Sequence, residues 1–400
     1  FFYELEKSKS ALPIEDIALS SIYNFETKVF KKFDEININI SAETTQLVLT
    51  FYLIFVSLGQ MLCGTLSDRF GRRPVLLLGS LLYLAGGVCA MYSPSIEYLL
   101  AFRIIQAIGA AACLAMARVI VNDSFKKEEA AEKLSLITAV MVIFPNIALI
   151  LGGAIAETLG WRGSMGTLFI FGTLLFLGSL ILIPETIKEK THKLKFEVIF
   201  NSYLSVIKNP LFLNYALISA IQSGIFFSLF SFMPYQFYRL GVSPLEFGFW
   251  LSFCGVGYFF GNIVNRNFAS IIGISKMCLI GCVGSSIALI IMILLYILNF
   301  SHPLSISIPC FLFGFGNGIT VANALIGAIS SCKKNSGTAT GVAGAMAMAS
   351  GGIFGSIIIG IGGAESFFTA VLFLIILSII GIYFSILTFK NDKKISKLGV

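Results

Sequence analysis

Long apolar stretches separated by short polar segments fill the chain from residue 47 onward. Several of them exceed the roughly 18 residues that mark a membrane-spanning helix. A helix satisfies its own backbone hydrogen bonds, so it can cross lipid as an open-ended segment. The pattern predicts eleven spans, at about 47–66, 75–93, 97–122, 134–156, 164–184, 211–233, 245–265, 275–298, 303–330, 336–362 and 366–389.

The first 46 residues follow a different pattern. The short apolar run 11–19 carries Glu15 and Asp16, and the polar stretch 24–43 comes after it. A twelfth span at about 11–23 would be short for a membrane crossing, so eleven and twelve spans both stay open. We expect no signal peptide here, since a basic start and a continuous apolar core are both missing.

Basic residues collect on alternate connections between the spans. When the segment at 11–23 is counted as the first span, the connections that follow even-numbered spans carry nearly all of the basic residues. The opposite side, past residue 46, carries only Arg162 and Arg239. The positive-inside rule therefore places the basic connections and the C-terminus in the cytoplasm. These basic groups lie at 69–73, 126–133, 188–208, 266–276, 333–334 and 390–397.

The longest connection, Glu185 to Pro210, is basic and polar, and it divides the chain. We therefore predict an N-terminal helical bundle at 1–184, a central cytoplasmic loop at 185–210, a C-terminal bundle at 211–389 and a basic tail at 390–400. A weak internal repeat supports the division. Gly64 is followed four residues later by Asp68-Arg69, and Gly261 is followed four residues later by Asn265-Arg266. Repeated halves are typical of secondary transporters.

Composition narrows the class of protein further. Apolar residues make up 56% of the 400-residue chain and charged residues only 12%, about half the charged share of an ordinary soluble domain. A soluble enzyme, a nucleic-acid-binding protein and a disordered protein are therefore excluded. The net charge of +7 fits cytoplasmic loops rich in lysine and arginine.

Cysteine and histidine do not indicate a metal or redox site. All eight cysteines lie within apolar stretches or at their ends, and both histidines lie in loops. Buried cysteine behaves as a small apolar residue. We expect neither a metal nor a cofactor.

The most specific motif runs from Gly64 to Pro74, as Gly-Thr-Leu-Ser-Asp-Arg-Phe-Gly-Arg-Arg-Pro. A tight connection between two spans needs glycine where backbones approach closely or where φ turns positive, and the motif contains Gly64 and Gly71. Asp68 can accept hydrogen bonds from N–H groups at a helix start. Arg69, Arg72 and Arg73 can pair with it or with lipid phosphates. We interpret this run as a conformational-switch loop.

This run resembles the signature loop of the major facilitator superfamily, and further segments resemble its bicyclomycin-resistance (Bcr/CflA) branch of drug:proton antiporters. The resemblance implies an all-α polytopic membrane protein with two six-helix bundles around a central cavity. It also implies proton-coupled export of small amphipathic compounds by alternating access. The matching segments are Gly59-Gln60, Arg103 to Gly109, Arg118 to Asp123, Phe144 to Gly153 and Gly160-Trp161-Arg162.

The chain departs from that branch in its first span. Members of the branch carry an acid near the outer end of a full apolar helix, whereas here Ser21 to Asn24 falls near that place. Asp16 is the nearest substitute. Either the first span is degenerate or the chain is an altered member of the branch.

Candidate cavity residues lie on predicted spans four, seven and ten. Arg103 and Gln106 share one helical face of span four with small residues, and an intramembrane arginine indicates a functional site facing the bundle interior. Gln222 lies midway along span seven, and Asn317 and Asn323 lie in span ten. These three amides either bind substrate or bridge helices.

Two further features suggest moving parts. Asp123, at the cytoplasmic end of span four, is placed to form a latch with Arg72 or Arg73. The alternative is an exposed ion pair that contributes little to stability. Pro145 is expected to interrupt span five and free a backbone carbonyl. Gly152 and Gly153 allow a neighbouring helix to pack closely, and the resemblance links this span to export.

The energy source is open at this stage. The GxxxxGK[ST] loop of P-loop ATPases does not occur in the sequence. The spans from 47 onward carry no carboxylate near mid-depth, although proton coupling commonly uses one. Proton antiport, through Asp16 and Arg103, is therefore implied by the resemblance.

Three hypotheses remain. The first is a proton-driven exporter of amphipathic compounds or drugs in the inner membrane of a bacterium, acting as a monomer. The second is a major-facilitator carrier for a polar or anionic metabolite, bound by Arg103 and Arg118. The third is a non-transporting descendant of a carrier. We do not expect an intramembrane enzyme, since the sequence offers no credible nucleophile–base pair.

Overall fold

The computed structural model describes residues 41–125, 127–187, 196–332 and 335–397. All regular structure in these ranges is helical, and no strand occurs in them. The predicted segment at 11–23, with Asp16, lies outside the described residues.

Four long helices, α1 to α4, precede a short helix, α5, and six more, α6 to α11, follow it. Their bounds are Ala42–Phe70 (α1), Arg72–Met91 (α2), Ile96–Ser124 (α3), Lys127–Leu182 (α4), Phe196–Ile207 (α5), Pro210–Arg239 (α6), Pro244–Ile272 (α7), Ile274–Ile297 (α8), Leu304–Ser331 (α9), Ser336–Gly360 (α10) and Phe367–Lys397 (α11).

Each of the eleven predicted spans coincides with an apolar helical segment of the structure. Ten helical segments of the described part are long and apolar enough to cross a membrane, and a shorter apolar one covers Phe144–Gly160. The last corresponds to the span predicted at 134–156. Helix α4 contains two predicted spans and leaves helical geometry only at Gly160, where φ is 68°.

Local sequence signals account for several helix starts. The Asn209 side chain accepts hydrogen bonds from the N–H groups of Leu211 and Phe212, and Pro210 takes the first helical position of α6. Ser243 and Glu246 form a reciprocal capping box at the start of α7. Such caps satisfy N–H groups that have no partner inside the helix.

Two of these expectations gain detail, and one is wrong. The segment 185–210 is not only a loop, since residues 196–207 form α5. The tail predicted at 390–400 is helical as far as Lys397. Helix α4 continues through Pro145 without a break. A neighbouring helix can compensate for the missing N–H group of proline, so proline is tolerated inside membrane helices.

Helices α1–α4 pack on one another, as do α6–α11, and the two main contacts between these halves in the described residues are α1 with α10 and α4 with α7. In the first, the Thr50 hydroxyl donates to Gly352 O at 3.2 Å and the Ser57 hydroxyl to Ala345 O at 2.8 Å. In the second, backbones approach so closely that a methyl group at Gly248 would overlap Leu149 O. The halves therefore meet through small and hydroxylated residues, which allow close helix approach in lipid.

Candidate functional site

The connection between α1 and α2 turns on a single residue, Gly71. Its φ of 110° lies in a region that residues with a side chain rarely adopt. This turn directs Arg72 back toward α1 and α3. Arg72 Nη1 donates to Asp68 Oδ1 at 2.6 Å and to Ser67 Oγ at 2.6 Å, and its Nε donates to Asp123 Oδ2 at 2.9 Å.

The predicted contact between Asp123 and an arginine is present, and Arg72 makes it. Arg73 instead donates to Leu180 O, on α4, at 2.9 Å. The cluster of Ser67, Asp68, Arg72 and Asp123 ties α1, α2 and α3 together. All four residues belong to the first half, so the cluster does not itself bridge the two halves.

Glu185, just after α4, completes this cluster and is absent from the sequence-based predictions. Its Oε1 accepts from Arg72 N at 2.9 Å, Thr186 N at 3.0 Å and Ile187 N at 3.2 Å. Burial acts to raise the pKa of Glu185, but the backbone N–H groups outweigh it and lower that pKa. Its position right after a predicted span, three residues past the end of α4, is the signal that could have identified it.

Two members of the motif lie apart from the cluster. Gly64 has open space around it, although its carbonyl accepts a hydrogen bond from the Ser67 hydroxyl at 2.7 Å. The Arg69 guanidinium carbon lies 5.2 Å from the centre of the Phe70 ring. These residues lie at the membrane surface predicted to be cytoplasmic.

Arg103 occupies the interior of the first half. Its guanidinium carbon lies 4.2 Å from the centre of the Tyr52 ring, and its Nη1 donates to Gln106 Oε1 at 2.5 Å. Its Nε and Gln106 Nε2 are both buried without a hydrogen-bond partner. Arg103 forms no ion pair with any described carboxylate, so a costly charge stands uncompensated in the described part of the membrane region.

The amides predicted for the second half fall into two places. Asn317 Nδ2 donates to the backbone oxygen of Gln222 at 2.8 Å, which brings those two residues together. Gln222 Nε2 lies 3.4 Å from Cys282 Sγ, and its Oε1 is buried without a partner. Asn323 lies apart from them and contacts Asn265, the residue singled out in the internal repeat.

An aromatic group follows Gln222 along α6. The Phe226 ring lies 5.5 Å from the Phe227 ring, 5.4 Å from the Phe230 ring and 6.3 Å from the Tyr258 ring on α7. Such faces suit apolar or cationic molecules.

The two neighbouring glycines of α4 face different surroundings. A methyl group at Gly153 would overlap Pro244 O at the start of α7, whereas one at Gly152 would meet nothing within 4 Å. Pro145 is exposed. Gly153 therefore lies in the contact between the halves, and Gly152 does not.

The sequence is similar to those of known proteins. The sequence model of the Major Facilitator Superfamily matches residues 17–356. A bicyclomycin resistance protein homolog of Haemophilus influenzae is 25% identical over 325 residues, covering 80% of this chain and 81% of that protein. A chloramphenicol resistance protein of Pseudomonas aeruginosa is 31% identical over 312 residues, covering 76% and 72%.

The structure is similar to the xylose transporter XylE of E. coli in a partially occluded inward-open conformation. The TM-score is 0.66 at 13% identity, over 87% of each chain. The predicted all-α, polytopic fold with two helical bundles is thereby confirmed.

Proposed function

The chain belongs to the major facilitator superfamily, and from this premise we propose that it exports small amphipathic compounds in exchange for protons. The relatives named as resistance proteins support this choice of substrate class. We place the protein in the inner membrane of a bacterium, as a monomer that moves its halves, 1–184 and 211–389, around a shared pathway.

Arg103 is the observation that carries this proposal. A guanidinium that is held in place by Gln106 and Tyr52, and that forms no ion pair with a described carboxylate, is available to a mobile partner. We propose that Asp16, outside the described residues, is the carboxylate that exchanges the proton and pairs with Arg103 when ionised. Substrate entry would then compete with that pairing, which couples the two fluxes.

The substrate would lie between this arginine and the second half. Gln222 has a free buried oxygen, and the Phe226 group supplies an aromatic surface beside it. One acceptor within an aromatic wall suits amphipathic molecules with a cationic or hydrogen-bond-donating group.

Reconstitution into vesicles with an imposed pH gradient tests the proposal. We expect gradient-driven efflux of a lipophilic cationic dye that stops when an ionophore collapses the gradient. Asp16→Asn should abolish it, and Glu15→Gln, the neighbouring acid, serves as the matched control and should retain it. Equal activity of the two variants would contradict the role of Asp16.

A carrier for an anionic metabolite is the second candidate. Arg118 is favoured for this role because it is exposed on α3 and pairs with no described residue. Gradient-independent anion exchange that is lost in both Arg103→Ala and Arg118→Ala would establish this carrier instead. A folded protein that moves neither probe would contradict both candidates and leave a non-transporting descendant.

A further inference from the structure

Arg103 has an aromatic partner as well as the amide of Gln106. Its guanidinium carbon lies 4.2 Å from the centre of the Tyr52 ring, and Tyr52 belongs to the neighbouring helix α1. The negative face of an aromatic ring attracts a cation, and this attraction is strongest where water is excluded. Tyr52 therefore offsets part of the charge of Arg103 without forming an ion pair.

The packing of α1 against α3 holds the Tyr52 ring in this place. About two turns further along each helix, the backbones approach so closely that a methyl group at Gly59 would lie 2.6 Å from the Cβ atom of Ala111. Tyr52 itself packs against a cluster formed by Val56 and three alanines of α3. The ring is therefore positioned by the two helices and not only by its attraction to the guanidinium.

Among the described residues, Arg103 faces no other ionised group between pH 5 and pH 8. The titratable side chains that interact electrostatically with it are Tyr52 on α1 and Tyr83 on α2, and Cys113, further along α3, interacts with both tyrosines. Helix α4 also contacts α3, but none of its described residues adds a charge here. Tyrosine and cysteine ordinarily ionise above pH 8, so Tyr52 attracts Arg103 equally throughout this range.

A carboxylate that takes up and releases a proton would compete with this ring. When it is ionised, it pairs with an arginine through charge-assisted hydrogen bonds. When it is protonated, it leaves Arg103 without a counter-ion. We propose that Tyr52 is a positioning residue that holds the Arg103 charge while this carboxylate is protonated, and that it thereby sets the pH at which the proton is exchanged. This inference rests on the proposed function, in which Arg103 pairs with a mobile carboxylate.

A series of side chains at position 52 tests this role. The attraction for a cation decreases from Trp to Tyr and Phe, and Leu lacks it. Without the ring, the ionised carboxylate meets less competition for Arg103, so it takes up a proton only at a lower pH. Dye efflux is measured at a pH gradient of constant size, against the pH of the side that supplies protons. We expect the pH of half-maximal efflux to fall by up to about one unit in Tyr52→Leu, to stay near the wild-type value in Tyr52→Phe and to rise in Tyr52→Trp.

Phe55→Leu is the matched control. Phe55 lies one turn further along α1 and packs against the same cluster as Tyr52, but no described cation faces its ring. A residue that only fills space lowers the efflux rate or the melting temperature without moving the midpoint of the pH profile. If Tyr52→Leu fails to fold, a higher midpoint in Tyr52→Trp than in Tyr52→Phe supports the proposal. Equal midpoints across the series, or an equal shift in Phe55→Leu and Tyr52→Leu, would overturn it.

A double-mutant cycle in melting temperature separates this inference from the proposed function. We expect Tyr52→Leu to lower the melting temperature more in the wild type than in an Arg103→Met background, and this difference to be larger at pH 5 than at pH 8. Additive changes at both pH values would overturn the proposal whether or not the protein moves dye. A coupled cycle in a wild-type protein that moves no dye would contradict the proposed function and still support the partnership of Tyr52 with Arg103.

Discussion

The side-chain partners of Arg72 differ in how far they are exposed to solvent. The side chain of Arg72 is 11% exposed, that of Asp123 is 28% exposed and that of Asp68 is 49% exposed. Solvent screens an exposed pair more than a buried one. The contact with Asp123, which joins α2 to α3, should therefore contribute more to stability than the contact with Asp68.

Double-mutant cycles test this difference. With Arg72→Ala, Asp123→Asn and Asp68→Asn, we expect a coupling energy of about 1 kcal/mol for Arg72–Asp123 and a smaller one for Arg72–Asp68. Thermal unfolding in detergent measures both. If the cluster also controls motion, Asp123→Asn should lower the transport rate more than the protein level, and an equal loss of both would argue against that role.

Replacing Arg103 should reduce transport activity without reducing the stability of the protein. Removing a buried charge that forms no ion pair with a described carboxylate costs little stability, so Arg103→Met should unfold at an unchanged or higher temperature while dye efflux falls at least tenfold. Arg239→Met is a useful control, because Arg239 donates to Ala364 O at 2.7 Å. That variant should lose stability. A parallel loss of stability and efflux in Arg103→Met would mean that Arg103 is structural.

The sequence predicted most residues of the Arg72 cluster but not which of them pair. The pattern indicated that Asp68, Asp123 and an arginine belong together. It could not choose between Arg72 and Arg73, because successive residues on a helix point about 100° apart and the choice depends on how α1 and α3 pack. Glu185 was missed because it meets Arg72 across 113 positions of sequence.

At the scale of helices, the contact between α4 and α7 offers a matched pair of adjacent glycines. Gly153→Ala should destabilise the protein by about 1–3 kcal/mol, because the added methyl group overlaps Pro244 O and overpacking has that cost. Gly152→Ala should be neutral or stabilise α4 by up to about 1 kcal/mol. Melting temperatures and efflux rates of both variants check this, and equal effects would remove Gly153 from the contact.

Glu185 joins the end of α4 to the start of α2, and its contribution to the stability of the folded state should depend on pH. The lowered pKa of Glu185 means that its ionised form stabilises the folded state, and this contribution is complete above the ordinary carboxyl pKa of about 4.3. It is lost as the pH falls through the lower pKa of the folded state. Glu185→Gln should therefore lower the melting temperature at pH 7 by only a small amount, because Glu185 is exposed and solvent screens its contacts. The difference from the wild type should shrink as the pH falls below the ordinary carboxyl pKa. A difference in melting temperature that stays unchanged well below the ordinary carboxyl pKa of about 4.3 would contradict this.

Helix positions were more predictable than their details. Apolar runs placed the predicted spans on helical segments, because lipid leaves the backbone no other open-ended structure. Helix α5 was missed because its apolar residues recur at helical spacing over only 12 residues inside a basic connection. The unbroken path of α4 through Pro145 depends on neighbouring helices, which a local rule for proline does not include.

At the scale of the whole molecule, the two contacts between the halves form the expected axis of motion. The hydrogen bonds of Thr50 and Ser57 with α10, and the glycine contacts of α4 with α7, involve few large side chains. Such surfaces can separate and re-form without leaving many buried polar groups unpaired. Which helices pair across the halves could not be read from local patterns, since these contacts join residues about 100 to 300 positions apart.

Distances between spin labels test the central claim, that the two halves move so that the pathway opens on alternate sides. One pair of labels is placed at Leu66 and Ile271, at the predicted cytoplasmic ends of α1 and α7, and another at Tyr92 and Leu298, at the predicted extracellular ends of α2 and α8. Both pairs are exposed and require a background in which the eight cysteines are replaced. Between pH 8 and pH 5, with and without a cationic dye, one distance should lengthen as the other shortens. Two distances that stay fixed under all four conditions would contradict the account.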